Sequence, residues 1–258
     1  MRESERKVAM RYWKKAAAVG FWILVWQILS MIVQSNILLA SPYETVRALG
    51  RLAVTGEFWA AVGGSFLRII GGFVLALVCG TALAWFSYRL GWVKTLTEPA
   101  VRLIKATPVA SFVIVVLLWV NSSQLSVVIA FLIVFPVVYT NLLQGFLQTD
   151  AGLLEMGRIF RMRLGARLRY IYLPAVRPYL LSAVSLGLGM CWKAGVAAEV
   201  IGLPAQSIGR NLYNAKLYLE TPELFAWTVV IVALSAGFEK LVTWCLRRAL
   251  MPGKGRGV

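Results

Sequence analysis

An all-α integral membrane fold is what this sequence predicts, and three observations predict it. The 258 residues are 59% hydrophobic and only 15% charged, where a soluble domain is about half apolar and about a quarter charged. Six apolar segments lie near residues 16–34, 69–88, 106–120, 124–146, 176–202 and 224–245. Each reaches or approaches the roughly 20 residues that a helical crossing needs. The third observation is where the charge sits. Of the 27 lysines and arginines behind a formal charge of +16, 21 crowd into residues 1–15, 89–105, 149–177 and the tail from 239. The alternate connections, 35–68 and 203–223, hold only Arg47, Arg51, Arg68, Arg210 and Lys216 against four glutamates. This alternation fits the positive-inside rule for about six transmembrane helices with both termini in the cytoplasm. The charge is therefore a signal of topology and of contact with membrane lipid, and nucleic acid is not an expected partner.

Composition also removes several chemistries. The chain has no histidine, which takes away the commonest general base and the commonest metal ligand. Cys79, Cys191 and Cys245 fall inside apolar runs without metal-ligand spacing, and read as small hydrophobes on membrane helices. No GxxxxGK[ST] stretch occurs, so no P-loop nucleotide site is expected. Neither catalytic residues, nor a metal, nor a bound cofactor is expected on this chain.

The elements follow in order. The first apolar segment is long and lacks a small-residue cleavage site before Asn36, so it reads as a retained span. In SPYETVRALGRL, Ser41 can cap a helix, Pro42 suits its first position, and Glu44 can close a capping box. Leu49, Leu52, Ala53 and Phe58 then make it loosely amphipathic. Gly71, Gly72, Ala76, Gly80 and Ala84 give the second span a small-residue face that lets a neighbour approach. The third span is short, and Pro99 to Lys105 can extend it at the interface. Pro108 in the third span and Pro136 in the fourth each remove a backbone donor and predict a kink. Such a kink can line a transport path or only shape packing.

The fifth span, GLGMCWKAGVAAEVIG, carries Lys193 and, six residues on, Glu199. Six residues turn a helix by about 600°, so the two side chains face different ways. A lysine at membrane depth faces a cavity or a partner charge. Lining an anion path and pairing with a carbonyl or carboxylate of a neighbouring helix or subunit are both open readings. Glu199, nearer the outer interface, reads as structural. Trp192 can stack on a flat substrate or pack. Thr221-Pro222 opens the last helix. With no strand alternation, heptad repeat or linker, the chain reads as one transmembrane domain over residues 1–258.

Between the fourth and fifth spans lies EMGRIFRMRLGARLRYIYLP, residues 155–174. Thr149 or Asp150 can cap its helix, and Leu153, Leu154, Ile159 and Phe160 give that helix an apolar face. On composition alone, Arg158, Arg161, Arg163, Arg167 and Arg169 suit a helix resting on anionic headgroups. The spacing adds something else. Glu155 stands nineteen residues before Pro174, and Ile171, Leu173, Pro174 and Pro178 follow in a set pattern. This stretch resembles the cytoplasmic loop signature of ABC importer permeases. Met156 and Gly157 replace two small alanines, and Arg161 stands where the family carries glycine, with Gly165 four residues later.

The likeness extends over most of the chain. Ser65-Phe66-Leu67-Arg68 with Gly72-Phe73, Thr107-Pro108 through Trp119, and Ala198-Glu199-Val200-Ile201-Gly202 ahead of Ile208-Gly209 resemble the nitrate/sulfonate/taurine-type permeases. The resemblance implies a MetI-like permease fold in a prokaryotic cell membrane and a transport subunit rather than an enzyme. It further implies a coupling loop at about 149–174 that docks on a separate ATPase. Two copies of that subunit would carry the ATP and Mg. An extracytoplasmic substrate-binding protein or lipoprotein and a second permease copy, making a homodimer, are the other implied partners. The solute would be small, and anionic or heterocyclic. Glu155, Met156, Gly157, Arg158, Phe160, Arg161 and Gly165 are the expected coupling residues, with Leu173 and Pro174 setting re-entry into the membrane. Lys193, Trp192, Glu199, Pro108 and Pro136 are the pathway candidates. A stand-alone channel or secondary transporter is the alternative, but there is no inverted repeat and few intramembrane acids could carry protons. A membrane-embedded enzyme would lack chemical groups.

Overall fold

The computed structural model describes residues 2–33, 35 and 37–250. Asn36, Lys254 and Arg256 lie outside the described residues, as do the side chains of the N-terminal basic cluster. Among the described residues every regular element is helical. In order these are α1 (Arg2–Val33), α2 (Pro42–Ala53), α3 (Gly56–Arg89), α4 (Gly91–Ala106), α5 (Val109–Val116) and α6 (Ser122–Leu147). After them come α7 (Ala151–Ile159), α8 (Leu164–Arg167), a π-helical turn (Leu168–Tyr172), α9 (Leu173–Gly202), α10 (Ile208–Leu217) and α11 (Thr221–Leu250).

Four stretches of described residues are long and apolar enough to cross a membrane: Gly56–Arg89, Ser122–Leu147, Leu164–Gly202 and Thr221–Arg248. The apolar part of α1, Ala17–Val33, is shorter. The third span, expected over 106–120 with a kink at Pro108, is broken more sharply in the structure. There α4 and α5 meet at a bend of 104°, and count as one crossing only if taken together. The cause is local. Thr107, the residue before a proline, is extended at φ −81°, ψ 129°, because the proline ring disfavours helical backbone there. Pro108 then serves as the N-cap of α5 instead of kinking a continuous helix.

By contact the chain forms two compact units, one of residues up to Trp59 with Asn211–Val230, the other of Ala60–Arg210 with Ile231 onward. In the first, the capping box of α2 is complete. Ser41 Oγ accepts from the Glu44 amide at 3.2 Å, and Glu44 Oε2 accepts from the Ser41 amide at 3.0 Å. Phe58 stacks on Trp227 with ring centroids 5.0 Å apart, and the Trp26 indole donates to the Ala40 carbonyl at 3.0 Å. The Thr221 hydroxyl donates to the Ile37 carbonyl at 2.6 Å.

The second unit holds the main core. Its most extensive helix pair is α6 with α9, and Val134, Val138, Leu142, Leu188 and Cys191 are buried in it. Helix α3 joins this core through its small residues. A side chain at Gly72 would collide with the Val127 carbonyl, and one at Gly80 would come within 2.9 Å of Val138 Cγ1. Ala76 and Ala84 are buried beside them. Gly71 meets open space. The small-residue face therefore gives a close α3–α6 approach, the packing by which membrane helices associate.

Candidate functional site

The arginine-rich loop is a short helix, a tight turn and a second helix that runs on into the membrane. Asp150 caps α7, its carboxylate accepting from the Leu153 amide at 3.1 Å. The other end closes by two bonds. The Arg161 amide donates to the Arg158 carbonyl at 2.9 Å, and the Met162 amide to the Gly157 carbonyl at 3.0 Å. This is a Schellman closure, which needs a left-handed residue between those partners. Arg161 is that residue, at φ 48°. The turn thus stands at the position where the likeness expects glycine, although the side chain there is arginine. Gly165 lies beyond it, inside α8, with open space around it.

Burial divides the loop. Met156, Ile159 and Phe160 are 49%, 72% and 73% exposed at the end of this short helix. Glu155 and Arg158 are exposed beside them. Gly157 turns inward. It is buried, and a side chain on it would lie 2.9 Å from Ile171 Cδ1. Packing within the loop, not an outward contact, is therefore where the structure puts Gly157.

Leu173 and Pro174 open α9, but they do not begin a new helix after a break. Leu164–Gly202 is one continuous stretch of 39 residues. Pro174 has no amide hydrogen and its ring crowds the preceding turn. The wider π-helical turn directly before it absorbs that defect, as such turns do within α-helices.

Along α9 the expected pathway residues separate. Trp192 is fully buried, with its ring centroid 6.0 Å from that of Phe66 and its indole nitrogen without a hydrogen-bond partner. Lys193 points the other way and is exposed, and no ion pair involving it is found among the described residues. Pro136 is buried inside α6, which continues through it. Pro108 sits at the α4–α5 bend.

Glu199 is the centre of a polar clasp. It is fully buried. Arg68 donates to Oε1 from Nε at 3.2 Å and from Nη2 at 3.0 Å, and Ser126 Oγ adds a bond at 3.3 Å. Ser65 Oγ donates to Oε2 at 2.6 Å, and the Gly209 amide at 3.2 Å. Ser65 Oγ also accepts from the Ile208 amide at 2.9 Å, and Arg68 reaches the Gln206 carbonyl at 3.0 Å. The clasp ties α3, α6 and α9 to the start of α10 and to the connection before it, in which Leu203 and Gln206 are left-handed. Sequence reasoning quoted Ser65 and Arg68 without pairing them to Glu199. Their i, i+3 spacing on one helix face was the available signal.

Residues 72–250 match the sequence profile of the binding-protein-dependent transport system inner membrane component family. Over 240 residues the chain is 26% identical to a protein of Bacillus subtilis (strain 168) named as an aliphatic sulfonates transport permease, covering 88% of this chain and 83% of that one. The protein of the same name in Escherichia coli (strain K12) is 28% identical over 215 residues, 82% of this chain and 79% of its own. A taurine transport system permease of the same strain is 23% identical over 164 residues, 63% of this chain and 59% of its own.

Proposed function

The chain belongs to the family of inner membrane components of binding-protein-dependent transport systems, the permease subunits of ABC transporters, and from that premise we propose the mechanics of its part in import. The whole chain acts as one permease domain that forms a solute path and receives movement from a separate ATPase through residues 149–174. The ATPase subunits carry the ATP and Mg, an external binding protein delivers solute, and a second permease copy completes the path. The observation that carries this reading is the bare apolar edge of α7, Met156, Ile159 and Phe160, flanked by Glu155 and Arg158. A short amphipathic helix with such anchors seats in a groove of a partner, and the charges beside it fix its register.

The route from the docked helix to the path is short. Gly157 packs on Ile171 of the π-helical turn, and that turn continues into α9. A displacement of α7 therefore pushes on the base of the helix that bears Lys193. An exposed lysine within a membrane helix is costly against lipid and suits a wet, anion-conducting face. A small anionic solute agrees with that charge and with the sulfonate and taurine permeases among its relatives.

Copurification tests the coupling. With a tagged permease coexpressed with its ATPase, Met156→Asp/Phe160→Asp should lower retained ATPase by about tenfold, the scale of losing a buried apolar anchor. Both side chains are exposed, so the variant keeps its fold, and unchanged retention refutes the assignment. Lys193→Met in the same preparation should keep the ATPase but lose uptake of an anionic solute.

A further inference from the structure

We propose that Arg89, Arg158 and Arg167, with the hydroxyls of Tyr88 and Tyr172, form a binding site for a phosphate group. These residues and Leu154 wall a cavity of about 250 Å³ between the end of α3, helix α7 and helix α8. Three arginines from three elements line it, and no carboxylate does. Among the described residues, the ion pairs found involve Arg68 and Arg102, not these three. Among the described residues, Arg167 Nε is buried without a hydrogen-bond partner, a donor that an anion in the cavity would complete.

The remaining walls suit the same ligand. Arg89 is held against the Trp85 ring, 5.3 Å from its centroid. The Tyr88 and Tyr172 hydroxyls lie 3.4 Å apart. Whichever of the two donates to the other leaves its partner's proton free for a ligand. Guanidinium forks match phosphate oxygens bidentately, and three of them on separate elements offer more donors than a two-oxygen carboxylate can use. Tyr172 also walls a second cavity of about 500 Å³, lined by Leu77, Leu142, Val176 and Leu180. That volume is within the range of ligand pockets and its lining suits an acyl chain. A phospholipid headgroup and free phosphate share the required chemistry, and experiment separates them. The site does not depend on the loop's coupling role.

The purified protein in neutral maltoside detergent is offered equimolar phosphatidylglycerol and phosphatidylcholine and read by native mass spectrometry. In parallel, thermal unfolding is followed with inorganic phosphate against chloride at equal ionic strength. The wild type should retain phosphatidylglycerol preferentially, and Arg167→Gln and Arg158→Gln should each lower that preference about fivefold, the effect of one basic residue at an anionic headgroup. Arg158 is exposed, so its variant folds even where Arg167→Gln does not. A phosphate-dependent rise in unfolding temperature that both variants lose assigns the site to free phosphate and equally supports it. The absence of both a lipid preference and a phosphate shift overturns the proposal. So does an equal loss in Arg163→Gln, a change outside the cavity.

Discussion

Glu199 shows how a single residue can be legible in kind but not in partnership. Its place late in an apolar helix marks it as structural, because a buried carboxylate must be paired. Its partners Ser65 and Arg68 lie 134 and 131 residues away in sequence, and no local periodicity reports so distant a pairing. The energetics follow from burial. Removing one side of a buried ion pair costs about 3–5 kcal/mol, because the other charge is left uncompensated, whereas replacing both with apolar groups can be nearly neutral. Arg68→Met should therefore lower the unfolding temperature in detergent by roughly 10 °C on the usual scaling for a chain of this size. Arg68→Met/Glu199→Met should recover much of that loss. A double variant that falls by the sum of the two single losses would show that the pair acts as independent groups, against the geometry.

At the scale of the element, local chemistry decided most of what was legible. The capping box at Ser41 and Glu44 was readable because it lies within four residues, and so was the small-residue face of α3. The third span was not. Pro108 signalled a defect, but the backbone of Thr107 turned a kink into a 104° bend. The 149–174 loop departs from its sequence reading in another way. Arg161 stands where the family carries glycine, and it takes the left-handed conformation itself, since the two closing bonds of α7 require that conformation whatever side chain is there. A non-glycine residue at such a position costs about 1–2 kcal/mol in strain. Arg161→Gly should relieve it and raise the unfolding temperature by about 2–4 °C, while Arg161→Val, β-branched, should lower it. A stabilised valine variant would mean that the turn is not left-handed.

For the whole molecule the decisive quantity is the length of one helix. Leu164–Gly202 is continuous over 39 residues, roughly 58 Å at 1.5 Å per residue, while the hydrocarbon core is about 30 Å thick. Even strongly tilted, such a helix has its ends on opposite sides of the bilayer. The arginines of 158–169 cluster at one end, and the clasp connection 203–209 stands at the other. The positive-inside rule predicts that the basic end faces the cytoplasm. In a variant with Cys79, Cys191 and Cys245 replaced by alanine, a single cysteine in place of Ala205 should react with an impermeant maleimide on intact spheroplasts. One in place of Phe160 should react only after the membrane is opened. Both sites are exposed in the structure, so protection reports the membrane rather than burial. The reverse pattern would place the arginines outside, and the apolar edge of α7 could then meet no ATPase.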